Sequence, residues 1–385
     1  MAHPTAKITI TNFFGALHYF LTSIILAPFL AQFMGDSAVG LVFSAAALLS
    51  LSGFLLLPWI IRRVSLKRFA QILSIVQFGI LIAILQSPSL PILITLVIFL
   101  AALPALISYT FDIFLEQMTK DEGTTGNIRG FFIGVSNIAL VISPLAIGYI
   151  LGDTNEYFKI FALAAATLLP FVLLLTALIP SSNHKEVETP SFKGSLKCLL
   201  QSKDVLLGAS AHFILILFFS WVIIYIPLYL HNSLGIPWSE LGWVFSIMLL
   251  PYVLLEYPIG IAADKWFGER EIMMGGFAVM GISMALISFI ATSAVTLFLV
   301  SVLILTRVGG SMVEITTETY FFKHVDGDDL NSIGLFRMLR PLGALFGPLI
   351  GSFALLFVSL QSIFIILGGL CLIGIPLAFF IKDTR

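Results

Sequence analysis

The chain has 385 residues, of which 59% are hydrophobic and 11% charged, with a mean hydropathy of +1.06 and a formal net charge of −1. A water-soluble fold of this size carries about a quarter charged residues and could not hide so much apolar surface, so lipid is the solvent this composition requires. The balanced charge gives no support to a nucleic-acid partner, and the two cysteines, Cys198 and Cys371, lack the spacing of a disulfide framework or a zinc site, so no cofactor is expected.

About 20 mostly apolar residues in a helix cross the hydrocarbon core. Such windows occur at 8–33, 38–61, 69–86, 91–115, 128–151 and 158–179 in the first half. In the second half they occur at 205–231, 239–263, 272–292, 295–319, 333–357 and 362–381. The first follows Lys7, is longer than a signal-peptide core and has no small-residue cleavage site, so it reads as a retained helix. The polar stretch between the sixth and seventh windows reads as a linker, which predicts a domain at 1–180, a linker at 181–204 and a domain at 205–385.

Twelve spans put both termini on one side. Eighteen of the twenty Lys and Arg residues lie in or beside the segments on that side, among them Arg62, Arg63, Lys67, Arg68, Lys265, Arg270 and Lys323. By the positive-inside rule that side is the cytoplasm, and the membrane is the cell's inner, cytoplasmic one.

The halves repeat each other. Ser37-Ala38-Val39-Gly40-Leu41-Val42-Phe43-Ser44 aligns with Ser239-Glu240-Leu241-Gly242-Trp243-Val244-Phe245-Ser246, with five of eight positions identical. At the same offset Asp112 and Glu116 fall on Glu314 and Glu318, and at an offset two residues longer Pro144 falls on Pro348. Six spans per half make this a parallel repeat about an axis along the membrane normal.

Gly260-Ile261-Ala262-Ala263-Asp264-Lys265-Trp266-Phe267-Gly268-Glu269-Arg270 follows the eighth span, and Gly343-x-x-x-Gly347-Pro348-x-x-Gly351-Ser352 lies in the eleventh. With Arg307-Val308-Gly309-Gly310 in the tenth, the chain resembles the major facilitator superfamily across essentially its whole length. The resemblance implies an all-α integral membrane protein of twelve transmembrane helices, in two six-helix bundles related by a pseudo-two-fold axis. It also implies that Asp264 accepts hydrogen bonds at the start of the eleventh helix, where the dipole favours negative charge. The first half departs from the pattern: Arg62 stands opposite Asp264, Pro58 opposite the motif's glycine Gly260, Ala105 opposite Arg307 and Ile147 opposite Gly351.

Ionisable residues inside a span are costly, so each is a candidate for function. Asp112 and Glu116 share a face of the fourth span, and Glu314 and Glu318 a face of the tenth. With Arg62, Arg63 and Arg129 on one side and Gly260, Asp264, Arg270 and Arg337 on the other, they form a candidate cytoplasmic gate; interfacial anchoring is the competing explanation. Arg307 and Glu256 are the deepest charges, Arg307 roughly 18 Å below the outer end of its helix. They could pair with each other, or Arg307 could hold an anionic substrate while Glu256, with Asp112, carries a proton. Tyr257-Pro258 beside Glu256 is a candidate kink. Asn12, His18, Tyr19, Tyr109, Asn137, His212, Trp221, Tyr225 and Arg307 form the candidate substrate-binding set, expected to line a cavity near the midplane. For any one aromatic or histidine, helix packing competes with that role.

No nucleotide loop, paired zinc-protease histidines or serine elbow is present, and the chain is expected not to be an enzyme. The expectation is a monomeric secondary transporter, proton-coupled, that imports a small neutral or amphipathic solute or exports it by efflux. A facilitated uniporter and a non-transporting receptor or assembly factor on the same fold are the alternatives.

Overall fold

Backbone polar groups find no partner in hydrocarbon, so a chain this apolar must satisfy them inside helices. A computed structural model describes residues 4–118, 122–179, 203–290, 296–323 and 330–382, and its regular structure is helical throughout. The first half holds α1 (Pro4–Ala31), α2 (Asp36–Ile61), α3 (Leu66–Leu85), α4 (Leu90–Met118), α5 (Glu122–Leu151) and α6 (Phe158–Leu178). Then come α7 (Lys203–Pro227), prolonged by a wide π-turn over Leu228–Ser233, α8 (Trp238–Leu254), α9 (Glu256–Ala262) and α10 (Glu269–Leu286). The remainder are α11 (Thr296–Lys323), α12 (Leu330–Ala354), α13 (Ile363–Leu372) and α14 (Gly374–Phe379). Among the described residues, ten helical segments are long and apolar enough to cross a membrane. The last two expected spans correspond to shorter apolar stretches, Met338–Ala354 and Ile363–Phe379. The expected linker lies outside the described residues up to 202.

Two expected spans are not continuous, and proline explains both. Pro258 has no N–H to give the carbonyl of Leu254, where α8 ends, and Pro376 stands in the same relation to Leu372, where α13 ends. Leu255 and Ile373 are the single-residue joints that result.

The chain divides into two compact units. The first comprises Met1–Phe33, Ala45–Val187 and Pro237–Ser246; the second comprises Met34–Ser44, Glu188–Ile236 and Ile247–Arg385. In the first, α1 packs on α4, α5 and α6, while α3 packs on α4 and α6. In the second, α7 packs on α11, α12 and α13, while α10 packs on α11 and α13. These pairings correspond one to one under the sequence repeat. Helix α7 is the centre of its unit, with 78% of its apolar stretch buried against at most 56% in any other span.

The aligned Gly-x-x-x-Ser segments behave alike inside their units. Ser246 Oγ donates to the carbonyl of Val141 (2.7 Å) and Ser44 Oγ to that of Leu345 (3.1 Å). A Cβ on Gly242 would lie 2.7 Å from the Pro144 oxygen and 2.8 Å from the Gly148 Cα. One on Gly40 would meet Ser352, Tyr225 and the Pro348 oxygen. Neither position has room for a side chain.

Candidate functional site

Six polar side chains that could face a solute each bond to another segment of the same unit. Asn12 donates to Ser136 Oγ (2.7 Å), and His18 Nδ1 bonds the Ala164 carbonyl (3.1 Å). His212 Nδ1 meets Thr317 Oγ1 at 3.0 Å, with its ring stacked on Phe336. Trp221 Nε1 donates to the Gly347 carbonyl (2.8 Å), Tyr225 to that of Pro348 (3.1 Å) and Tyr229 to that of Ile290 (2.7 Å). In an apolar interior such bonds join helices firmly, because a lost partner leaves a buried polar atom unsatisfied. Tyr19 lies against Phe20 and Tyr109 against Phe54, while Asp112 and Asn137 are half-buried.

The second unit holds a different kind of polar group. Arg307, on α11, is 2% exposed; its Nη2 faces the Met248 sulfur at 3.9 Å, and its guanidinium carbon lies 5.7 Å from the centre of the Phe218 ring. Its Nη1 has no hydrogen-bond partner among the described residues, and neither has the hydroxyl of Tyr252, which is 8% exposed. Tyr252 lies on α8, within electrostatic reach of Arg307, Glu314 and Glu256. Glu256 opens α9 one turn further on and feels the charge of Glu318, as does Glu314. Among the described residues Glu314 has Arg340 within 3.9 Å. Arg307 and Glu256 are not paired with each other. Sequence alone assembled Glu256, Arg307, Glu314 and Glu318 as candidates but missed Tyr252; its place one turn before Glu256 was the available signal.

At one end of the second unit, Lys323 joins Asp264 (3.0 Å) and the buried carboxylate of Glu269. The Glu269 hydrogen bond, against some burial, and then that of Asp264 hold the Lys323 ammonium above the usual lysine range. The residue that replaces a basic one in the loop motif, Glu269, is therefore half of a clamp on α11. The start of α12, expected to receive Asp264, has its side chains outside the described set. Arg270 bonds its neighbour Glu271 (2.6 Å), and a Cβ added to Gly260 would meet Ile315 at ordinary contact distance. In the first unit Arg62 is exposed and Arg63 stacks on Trp59, 4.0 Å from the ring centre. The side chains of Glu116, Arg129 and Arg337 lie outside the described residues.

Ten apolar spans and a second unit with charges set among its spans define a multi-pass helical membrane protein of the kind that moves solutes. The sequence profile described as Major Facilitator Superfamily matches residues 8–239 and again 208–385, and the chain belongs to that family of transporters. A mutant of the nucleoside transporter NupG superposes on 99% of this chain and 100% of its own with a TM-score of 0.82 at 14% identity. Another NupG structure gives a TM-score of 0.71 at 14% identity, over 98% of both chains. The POT family transporter PepTSo, crystallised in meso, gives 0.76 at 11% identity over 99% of this chain and 98% of its own. Likeness at such identities describes the fold alone.

Proposed function

We propose that the protein is a secondary active transporter that moves a small molecule across the cytoplasmic membrane by rocker-switch alternating access, coupled to protons. In this reading twelve spans form two six-helix bundles, 1–180 and 205–385, related by a pseudo-two-fold axis, with both termini in the cytoplasm and the monomer as the working unit. The matching helix pairings of the two units and the one-sided distribution of Lys and Arg support it. The solute is neutral or amphipathic, drug-like or a sugar, since fixed charges along the spans are few.

The observation that carries the reading is that Glu256 and Glu314, on two helices of the second unit, both feel the charge of Glu318, while Arg340 lies 3.9 Å from Glu314. A carboxylate in apolar surroundings is costly as an anion and holds a proton more readily, which is the requirement of a coupling site. Glu256 is assigned the mobile proton, with Asp112 its counterpart in the first unit. Tyr19, Tyr109 and Asn137 are assigned to the solute path together with Arg307. The gate is assigned to the acids on α4 and α11 and the bases beside them.

Purified protein in proteoliposomes, offered a mixed sugar, drug and metabolite library with and without an imposed pH gradient, tests this. Accumulation driven by the gradient is the expected result. Equilibration without accumulation would replace coupling by facilitated uniport. No flux from folded protein would overturn transport.

A further inference from the structure

We infer that Arg307 anchors an acidic group of the transported solute, and that the solute is an amphipathic monoanion: one acidic group on an apolar body. The inference rests on the transport reading above and narrows its solute class.

Arg307 is 2% exposed, and among the described residues its guanidinium has no carboxylate within ion-pairing distance. Its only acceptor among the described residues is a thioether sulfur at 3.9 Å, a weak one. A buried cation without a counter-charge costs more than its neutral surroundings return. The Tyr252 hydroxyl, packed against Gly310 about one turn along α11 from Arg307, adds a second buried donor with no partner among the described residues. A forked guanidinium and a hydroxyl brought to one stretch of α11 match the oxygens of a carboxylate, sulfonate or phosphate monoester, which accept two parallel bonds.

Internal neutralisation is not what the geometry provides. Glu314 lies seven residues from Arg307, roughly 10 Å along the helix axis, and has Arg340 at 3.9 Å. The same neighbours set the solute's charge. One guanidinium balances one negative charge, whereas a second would meet Glu314 and Glu256, whose charges both act on Tyr252. The walls set its body: Phe218 faces the guanidinium, Phe219 lies 5.9 Å from the Tyr252 ring, and Met248 completes an apolar enclosure. Gly310 keeps the site open for Tyr252, because a Cβ there would lie 2.5 Å from its hydroxyl and 3.2 Å from Phe218.

The test begins with thermal-shift titration of detergent-purified protein. The probes are amphipathic monocarboxylates (phenylbutyrate, octanoate, salicylate), each beside its uncharged amide, with phenylsuccinate as a dianion. At least one monocarboxylate is expected to raise Tm where its amide and the dianion do not, and to be taken up in proteoliposomes. Arg307→Gln is expected to weaken its half-saturation about tenfold to a hundredfold, the worth of a charge-assisted bond, with Arg307→Lys between the two. Should the Gln variant fail to fold, the acid–amide difference in the unaltered protein decides alone. Uptake confined to neutral compounds and indifferent to Arg307→Gln would overturn the monoanion and leave transport standing. Restored uptake in Arg307→Gln/Glu314→Gln would show an internal ion pair and overturn the anchor. No flux of any compound would remove the transport reading and this inference together.

Discussion

In the first unit the buried polar groups of α1 are tied off on neighbouring helices, Asn12 on Ser136 and His18 on Ala164. The corresponding helix of the second unit, α7, is tied off in the same manner through His212, Trp221 and Tyr225. The units part at Arg307 and Glu256: α4 carries Asp112 and Glu116 where α11 carries Glu314 and Glu318, but Ala105 and Phe54 stand opposite Arg307 and Glu256. The same helix pairings therefore hold with and without these two charges. Packing does not require them, and a charge that packing does not require is kept for what the helices do.

The largest effect expected from this contrast is on coupling. Glu256→Gln or Glu314→Gln should cut pH-driven accumulation in proteoliposomes by about tenfold or more, within the range of ordinary coupling free energies. Asp112→Asn, at the proposed counterpart in the first unit, should lose accumulation as well but by less; unchanged accumulation would confine coupling to the second unit. Next comes the close approach in the first unit. Gly242→Val drives carbon into backbone atoms that cannot yield, for about 3 kcal/mol or more, read as a lower Tm in detergent. Gly79→Ala, at a helix position open on all sides, should instead raise Tm by about 0.5–1 kcal/mol worth of stability.

A smaller loss, about 1–2 kcal/mol, is expected for Glu269→Gln, because Lys323 is 42% exposed and water screens part of the bond. The folded Lys323 titrates above its ordinary value, so the contribution of this clamp is complete at neutral pH and disappears as pH rises past the lysine range. Melting of both proteins from neutral to strongly alkaline pH should therefore converge at the alkaline end. The smallest losses, about 0.5–1.5 kcal/mol each, belong to Ser44→Ala and Ser246→Ala. Equal values would sharpen the correspondence between the units.

Much of the fold was legible because its signals are local: apolar runs of bilayer length, prolines that break them and charges that flank them. Pro258 announced its kink, since a missing N–H acts on the carbonyl four residues back. The equivalent break at Pro376 follows the same rule, but a purely apolar segment offered nothing to draw attention to it. Partners were less legible. The gate expected beside Glu314 includes Arg270, yet Arg340 is the base seen 3.9 Å from it among the described residues, and Asp264 meets Lys323 from another helix. Such choices depend on helix rotation, which hydrophobicity alone leaves undetermined in a span that is apolar all round. Tyr252 escaped notice because tyrosine in a span is commonplace; only its unsatisfied hydroxyl beside Arg307 sets it apart.

The short segments 34–44 and 237–246 each complete a unit whose remaining residues come mainly from the other half of the sequence. A gene cut within 181–202 would thus encode two polypeptides, neither holding all the residues of one unit. Expressed singly, each would lose the bond its exchanged segment makes, Ser44 to the Leu345 carbonyl or Ser246 to that of Val141; expressed together, they could complement one another. For this chain the unit of inheritance is the whole reading frame, even though its arithmetic is that of a duplicated half.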